Sequence, residues 1–358
     1  MNARLEKVRD FLREQELDAV LVTKLENLQY FSGFTGDDSL LLLSEDTAEL
    51  VTDFRYTEQA AEQTADFAVI EHKHGLLKMA AERILHHGWK CVGFEGADLC
   101  YDDFAALYKM LPETEFHKTV KLDVLRVLKD ETEISYIRKA VEISDRAFSH
   151  ILTFLRPGIS EIDVAAELED FMRRAGSERP AFTTIVASGQ RGSLPHGFAT
   201  EKLIVAGEFV TMDFGAVYKG YHSDITRTVC IGKADAKQRE IYDIVLQAQQ
   251  LGVREIQTGR SGKAIDASVR RFLFDAGYAR YFGHGLGHSV GLEIHEEPRL
   301  SPSSTCRHLH SRMLITVEPG IYIPNWGGVR IEDTVLVTET GCECLTHSPK
   351  ELIELGID

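Results

Sequence analysis

Two stretches of this chain repeat one pattern, and each sets acids where an apolar strand would not tolerate them alone. Val210-Thr-Met-Asp213-Phe-Gly215 is followed by Ser223-Asp224-Ile-Thr226-Arg-Thr-Val, and Thr316-Val-Glu318-Pro-Gly320 is followed by Ile331-Glu332-Asp333-Thr334-Val335. Each copy has an acid at the end of an apolar strand, a glycine two residues on, and a second acid after a return strand. The acids lie 11 apart in the first pair (213 to 224) and 14 apart in the second (318 to 332). Such an echo reads as two copies of one hairpin facing across a pseudo-symmetric site. Buried carboxylates must be neutralised by protons, bases or metals. Arg227 and Arg330 are available as ion-pair partners, and for one acid alone that reading would suffice. Four acids in an echoed arrangement point instead to a metal centre, since four carboxylates balance two divalent ions.

Between the two copies lies Phe282 to Pro298, FGHGLGHSVGLEIHEEP, with His284, His288 and His295 among glycines. The spacing of the histidines could align them on one helix face. Gly283, Gly285, Gly287 and Gly291 disfavour a continuous helix, however. The stretch reads as a backbone-close loop or β-ribbon, in which glycine lets the chain approach an ion or substrate. Imidazoles at physiological pH suit metal binding or proton transfer, and His288 is the candidate nitrogen ligand.

At 358 residues the chain is long enough for two or three domains. The first third alternates amphipathic helical runs with short apolar ones such as DAVLVT, SLLLLS and KCVGFEG, which predicts an α/β layer domain over 1–123. No G-x-G-x-x-G turn or P-loop marks it as a nucleotide site. From 124 to 358, long helical patterns are followed by strands, helices and strands again, which predicts an α+β domain on an antiparallel sheet. Asp130 or Thr132 is placed to cap the first of these helices, and Ser160-Glu-Ile-Asp163 to open the second as a capping box. Residues 1–123 hold 13 Lys+Arg against 24 Asp+Glu, a net of −11, and the remainder 27 against 32, a net of −5. Neither half offers the basic surface that nucleic acid or an anionic membrane needs. The amino-terminal run is an amphipathic helix with Leu5, Val8, Phe11 and Leu12 on one face, without the apolar core of a secretory signal. No apolar run is long enough to span a bilayer. The six cysteines include no C-x-x-C pair, so free thiols in a cytoplasmic protein are expected.

Seven short blocks carry a family resemblance: LPHG (194–197), TMDFG (211–215), SDITRT (223–228), HGLGH (284–288), HEEP (295–298), VEPG (317–320) and GVRIED (328–333). In this order they resemble the pita-bread dinuclear metallopeptidases, and among these the Xaa-Pro aminopeptidase and Xaa-Pro dipeptidase (prolidase) branch. NLQYFSGFTG (27–36) and DFRYTEQA (53–60) resemble that branch's amino-terminal domain. The resemblance implies a curved antiparallel sheet in a pita-bread catalytic domain, preceded by a smaller α/β creatinase-type domain that shapes the substrate site and assists oligomerisation.

The resemblance also implies site residues. Asp213, Asp224, His288, Glu318 and Glu332 match the metal ligands, Asp213 chelating one ion, Asp224 and Glu332 bridging both, and His288 and Glu318 completing the other. His196 and His295 match the two active-site histidines that are not ligands. The implied activity is hydrolysis of the Xaa-Pro bond at a peptide amino terminus or in a dipeptide. A hydroxide bridging two ions roughly 3.5–4 Å apart would attack the carbonyl. Glu318 would carry the proton to the leaving nitrogen, and His196 and His295 would hydrogen-bond the developing oxyanion. The oxygen and nitrogen donor set suits Mn²⁺ or Co²⁺, with Zn²⁺ and Fe²⁺ also compatible. His284 would lie beside the prolyl pocket. Arg330 would meet a substrate carboxylate there or pair with a metal-site acid, and Tyr322, four after Glu318, would hydrogen-bond that acid. A homodimer is the family expectation. His222, His308, His310 and His347 read as solvated or capping. The alternatives are a methionine aminopeptidase, a creatinase-like hydrolase, or a non-catalytic binding protein on the same fold.

Overall fold

Apolar runs too short for helices become buried strands in both halves of the chain. The computed structural model describes residues 3–356. It divides into two compact units, one ending at Arg126 and one beginning at Val127. The division falls beyond the expected 123 because the 3-10 turn Leu122–Arg126 belongs to the first unit. Asn27 donates to Asp123 Oδ1 (3.0 Å) and accepts from Arg126 Nε (2.9 Å).

The first unit runs α1 (Ala3–Gln15), β1 (Ala19–Val22), α2 (Leu25–Ser32), β2 (Ser39–Ser44), β3 (Ala48–Thr52), α3 (Thr57–Gln63), β4 (Ala68–Glu71), α4 (Leu76–His87), β5 (Cys91–Phe94), α5 (Tyr101–Met110) and β6 (Glu115–Thr119). Its sheet has the order β4-β3-β2-β1-β5-β6, antiparallel at β1/β2 and β2/β3 and parallel elsewhere. Every residue of β1 and β2 is buried, as central strands of a covered sheet require.

The second unit begins with α6 (Glu131–Phe154) and α7 (Glu161–Arg174). Asp130 and Ser160 cap them, each in a reciprocal capping box. Then come β7 (Ile185–Ser188), β8 (Phe209–Phe214), β9 (Val217–Tyr218), β10 (Tyr221–His222), β11 (Ile225–Ile231), α8 (Ala236–Glu255) and α9 (Gly262–Asp275). The remaining strands are β12 (Gly287–Ser289), β13 (Glu296–Leu300), β14 (Leu314–Val317), β15 (Gly320–Ile323), β16 (Gly327–Arg330), β17 (Asp333–Val337), β18 (Cys342–Cys344) and β19 (Glu354–Leu355).

The echoed pattern is structural. In the first copy β8 pairs antiparallel with β11, Asp213 lies opposite Thr226, and the small hairpin β9–β10 fills the connection. In the second, β14 pairs with β17, Val317 lies opposite Asp333, and the hairpin β15–β16 fills the connection. The echo extends to the layers. Ile143, Phe148, Ile151, Leu168 and Met172 of α6 and α7 pack on Val210, Met212, Ile225 and Val229. Ile241, Val245, Ile265 and Val269 of α8 and α9 pack on Ile315, Val317, Val329 and Val335. Hydrogen bonding splits the strands among sheets β19-β11-β8-β7, β14-β17-β18 and three two-stranded ribbons, antiparallel except at β11/β19. The histidine-rich stretch is one of the ribbons, β12–β13. All six cysteines are free, and no helix among the described residues is long and apolar enough to cross a membrane.

Candidate metal centre

The two acid hairpins and the histidine ribbon meet in one cavity of about 610 Å³, lined by Asp213, Asp224, His288, Glu318 and Glu332. Asp213, Asp224 and Glu332 each bring a carboxylate oxygen within 4.8 Å of the other two. His288 Nε2 lies 3.6 Å from Asp224 Oδ2 and 3.5 Å from Glu318 Oε1. Asp224 therefore belongs both to the acid cluster and to the histidine side of the site.

The hydrogen bonding of these groups is half complete, and the incomplete half fits a cation. Asp213 Oδ2 pairs with Arg330 Nη2 (2.6 Å), and Glu332 Oε2 accepts from Thr226 Oγ1 (2.6 Å). Their other oxygens, Asp213 Oδ1 and Glu332 Oε1, are buried and have no hydrogen-bond partner among the described residues. His288 Nδ1 is 3.1 Å from the Ser289 carbonyl, which can only accept, so that nitrogen carries the proton and Nε2 presents its lone pair to the acids. Two orphaned carboxylate oxygens and a free imidazole lone pair are the donors a divalent ion of borderline hardness takes.

Electrostatics agrees. Burial raises Asp224 well above the ordinary carboxylate range, and Glu332 and Asp213 raise it further. Burial likewise raises Glu332, reinforced by Glu318 and Asp213. Burial pushes Glu318 up to about 8, with Arg330 opposing and Asp213 adding. Burial and then His295 hold His288 down at about 3, so it is neutral at pH 7. The acids crowd until a positive charge joins them.

His196 and His295 also line the cavity, both on exposed turns. The His295 ring packs edge-on against His288, centroids 4.4 Å apart, and burial followed by Arg299 lowers its pKa. His284 Nε2 meets the Tyr322 hydroxyl at 2.8 Å, and Arg330 Nη1 donates to the same hydroxyl at 2.9 Å. The Tyr322 hydroxyl thus joins His284 to Arg330 in place of the expected bond to Glu318. Arg330 itself takes the ion-pair arrangement. It is 3% exposed and also donates to Thr226 Oγ1 (3.0 Å) and the Pro195 carbonyl (3.3 Å).

His222 corrects another expectation. It is buried, and its backbone N–H and Nδ1 both meet the Gly291 carbonyl, at 2.8 and 3.1 Å, tying the histidine ribbon's loop to β10. Its position in a buried strand run two before Asp224 was the signal. Sequence reasoning also missed Arg299, which lines the cavity with its side chain 50% exposed and, among the described residues, has only Glu297, at 3.7 Å, as an ion-pair partner. The alternating burial of β13 turns it outward, away from the core. Phe182, Ile185, Phe198 and Ile294 supply apolar wall.

Paired acid hairpins around a histidine ribbon make a site suited to a metallopeptidase, and the family patterns identify the class. Residues 135–339 match metallopeptidase family M24, and residues 4–127 match the creatinase/prolidase N-terminal domain. The chain belongs to family M24, and divalent metal comes with that membership. It is 45% identical to a solved structure of an Xaa-Pro dipeptidase from Bacillus anthracis, with a TM-score of 0.95 over 98% of this chain and 99% of that one. It is 40% identical to an Xaa-Pro dipeptidase of Pyrococcus horikoshii, over 99% of both chains. An X-Pro aminopeptidase structure from Thermotoga maritima is 39% identical, with a TM-score of 0.90 over 98% of this chain and 99% of that one. The fold is the expected α+β pita-bread catalytic domain behind a smaller creatinase-type domain.

Proposed function

We propose that this chain is an Xaa-Pro peptidase that works with two divalent ions, Mn²⁺ or Co²⁺, held by Asp213, Asp224, His288, Glu318 and Glu332. The observation that carries the reading is the pair of orphaned oxygens, Asp213 Oδ1 and Glu332 Oε1, in a cavity that also holds the His284–Tyr322 contact. The Xaa-Pro names of its relatives support this over methionine aminopeptidase.

Bound divalent ions supply Lewis acidity toward the scissile carbonyl and a water that ionises near neutral pH. Glu318, at the site the proposed ligands would form, would take a proton from the attacking water and deliver it to the proline nitrogen. This nitrogen carries no hydrogen in the peptide and leaves as a secondary amine. His295 and His196 donate hydrogen bonds to the carbonyl oxygen as it becomes an oxyanion. His284 and Tyr322 form the wall against the proline ring. Arg299, the cavity cation not bound into the acid cluster, meets the carboxylate of a dipeptide. That assignment favours dipeptides over longer substrates. The protein is proposed to act as a cytoplasmic homodimer whose first unit shapes the substrate site.

The test removes metal with a chelator, restores Mn²⁺ or Co²⁺, and follows release of the first residue from Xaa-Pro and Xaa-Pro-Yaa. Metal-dependent cleavage of the dipeptide, faster than of the tripeptide, is expected. Absence of metal-dependent cleavage of either substrate overturns the reading.

A further inference from the structure

His284 reaches the cavity from the short loop 282–286, and one helix grips that loop from behind. On α9, Asp266 and Arg270 are one turn apart, and Asp266 is 1% exposed. Arg270 Nε meets Asp266 Oδ2 at 2.7 Å, and Nη2 meets Oδ1 at 3.1 Å. The same guanidinium donates to the Phe282 carbonyl (3.1 Å) and to the His284 carbonyl, and lies 4.5 Å over the Phe282 ring. Asp266 Oδ1 accepts the Leu286 N–H at 3.2 Å. One ion pair thus holds three backbone groups, on either side of His284 and at it. On the loop's other side the imidazole meets Tyr322, and Phe282 packs edge-on against it, centroids 5.0 Å apart.

Neither Asp266 nor Arg270 is among the residues lining the substrate cavity. Arg270 instead faces a separate cavity of about 340 Å³ with Leu273, Phe274 and Ala279. Burying the Asp266 carboxylate is costly, and an ion pair rarely returns that cost as stability, whereas a planar guanidinium fork fixes geometry.

We propose that Asp266 and Arg270 are positioning residues for substrate selection. They fix the His284 backbone so that the imidazole stands against Tyr322, and the wall facing proline is set by α9. This rests on the reading of His284 as a substrate-binding residue.

The test uses metal-loaded protein and an Xaa-Pro dipeptide. Arg270→Met removes the donors and keeps the stem. It should raise KM about tenfold with kcat within about threefold, and leave metal content unchanged. In a His284→Ala background the same substitution should change KM less than about twofold, because its effect passes through His284. Hydrogen exchange across 282–286 should quicken in Arg270→Met. If that variant does not fold, Asp266→Asn, which keeps an acceptor for Leu286, enters the same cycle. A full KM effect of Arg270→Met in the His284→Ala background, or a loss confined to kcat, overturns the proposal. His284→Ala with an unchanged KM overturns the pocket reading beneath it, a failure visible without either α9 variant.

Discussion

Thr226 does two things for the site with one hydroxyl. It donates to Glu332 Oε2 and accepts from Arg330 Nε, whose guanidinium in turn holds Asp213. The free oxygens of Glu332 and Asp213 are therefore aimed by neighbours outside the proposed ligand set. Thr226→Val keeps the shape and removes the hydroxyl, and metal affinity should fall about 10–100-fold, read by titration of the chelated protein. His295 and Asp213 separate the two kinds of residue in the cavity. His295→Ala should keep its metal and lose about 10²–10³-fold in kcat, whereas Asp213→Ala should lose metal and activity together. Metal analysis beside kinetics distinguishes them, and parental turnover in His295→Ala would remove it from the mechanism. The acids were legible in the sequence because a carboxylate in an apolar strand has few explanations. Thr226 was not, since a threonine in a strand is unremarkable until its partners are placed.

The ribbon β12–β13 owes its position to backbone contact. A Cβ on Gly287 would lie 1.9 Å from the Thr316 carbonyl oxygen, and the next residue's N–H donates to Thr316 Oγ1 at 3.0 Å. Gly287→Ala must therefore push β12 away from β14 and take His288 with it. A stability loss of about 1–3 kcal/mol is expected, together with weakened metal binding, checked by thermal melts with and without added metal. The glycines announced this crowding, and the ribbon was readable from them. Tyr322 was misread. Both Tyr322 and Glu318 line the cavity, but the Tyr322 hydroxyl is taken by His284 and Arg330, two partners that a spacing of four in the sequence does not reveal. The helix α2 left no signal either. Its N-cap is Lys24 with no side-chain cap, and the helix rests on burial of Leu28, Tyr30 and Phe31, which is tertiary information.

At the scale of the whole chain, each unit has its own core, and among the described residues only the second gathers acids that need a cation. Metal at about 100 times its Kd should stabilise that unit by about 2.7 kcal/mol, so chelation should lower its melting transition and leave that of the first unit in place. The expectation of a boundary near 123 rested on helical periods that lengthen there. The free-energy link between metal and fold needed the geometry. The pH response of the chelated protein follows from that link. Glu318 titrates near 8 in the folded chain and near the ordinary carboxylate value of about 4.3 when unfolded. Between those values the folded state holds a proton that the unfolded state has lost, so stability falls as pH rises. Asp224 and Glu332 are raised for the same reason and act in the same direction. Metal replaces those protons and binds better as they leave. Chelated protein should therefore melt lower at about pH 7.5 than at about pH 5.5, and metal-loaded protein should lose that slope, as measured by calorimetry. A chelated protein whose second transition stays level across this range would mean that the acids are not forced together, and the metal centre would lose its electrostatic support.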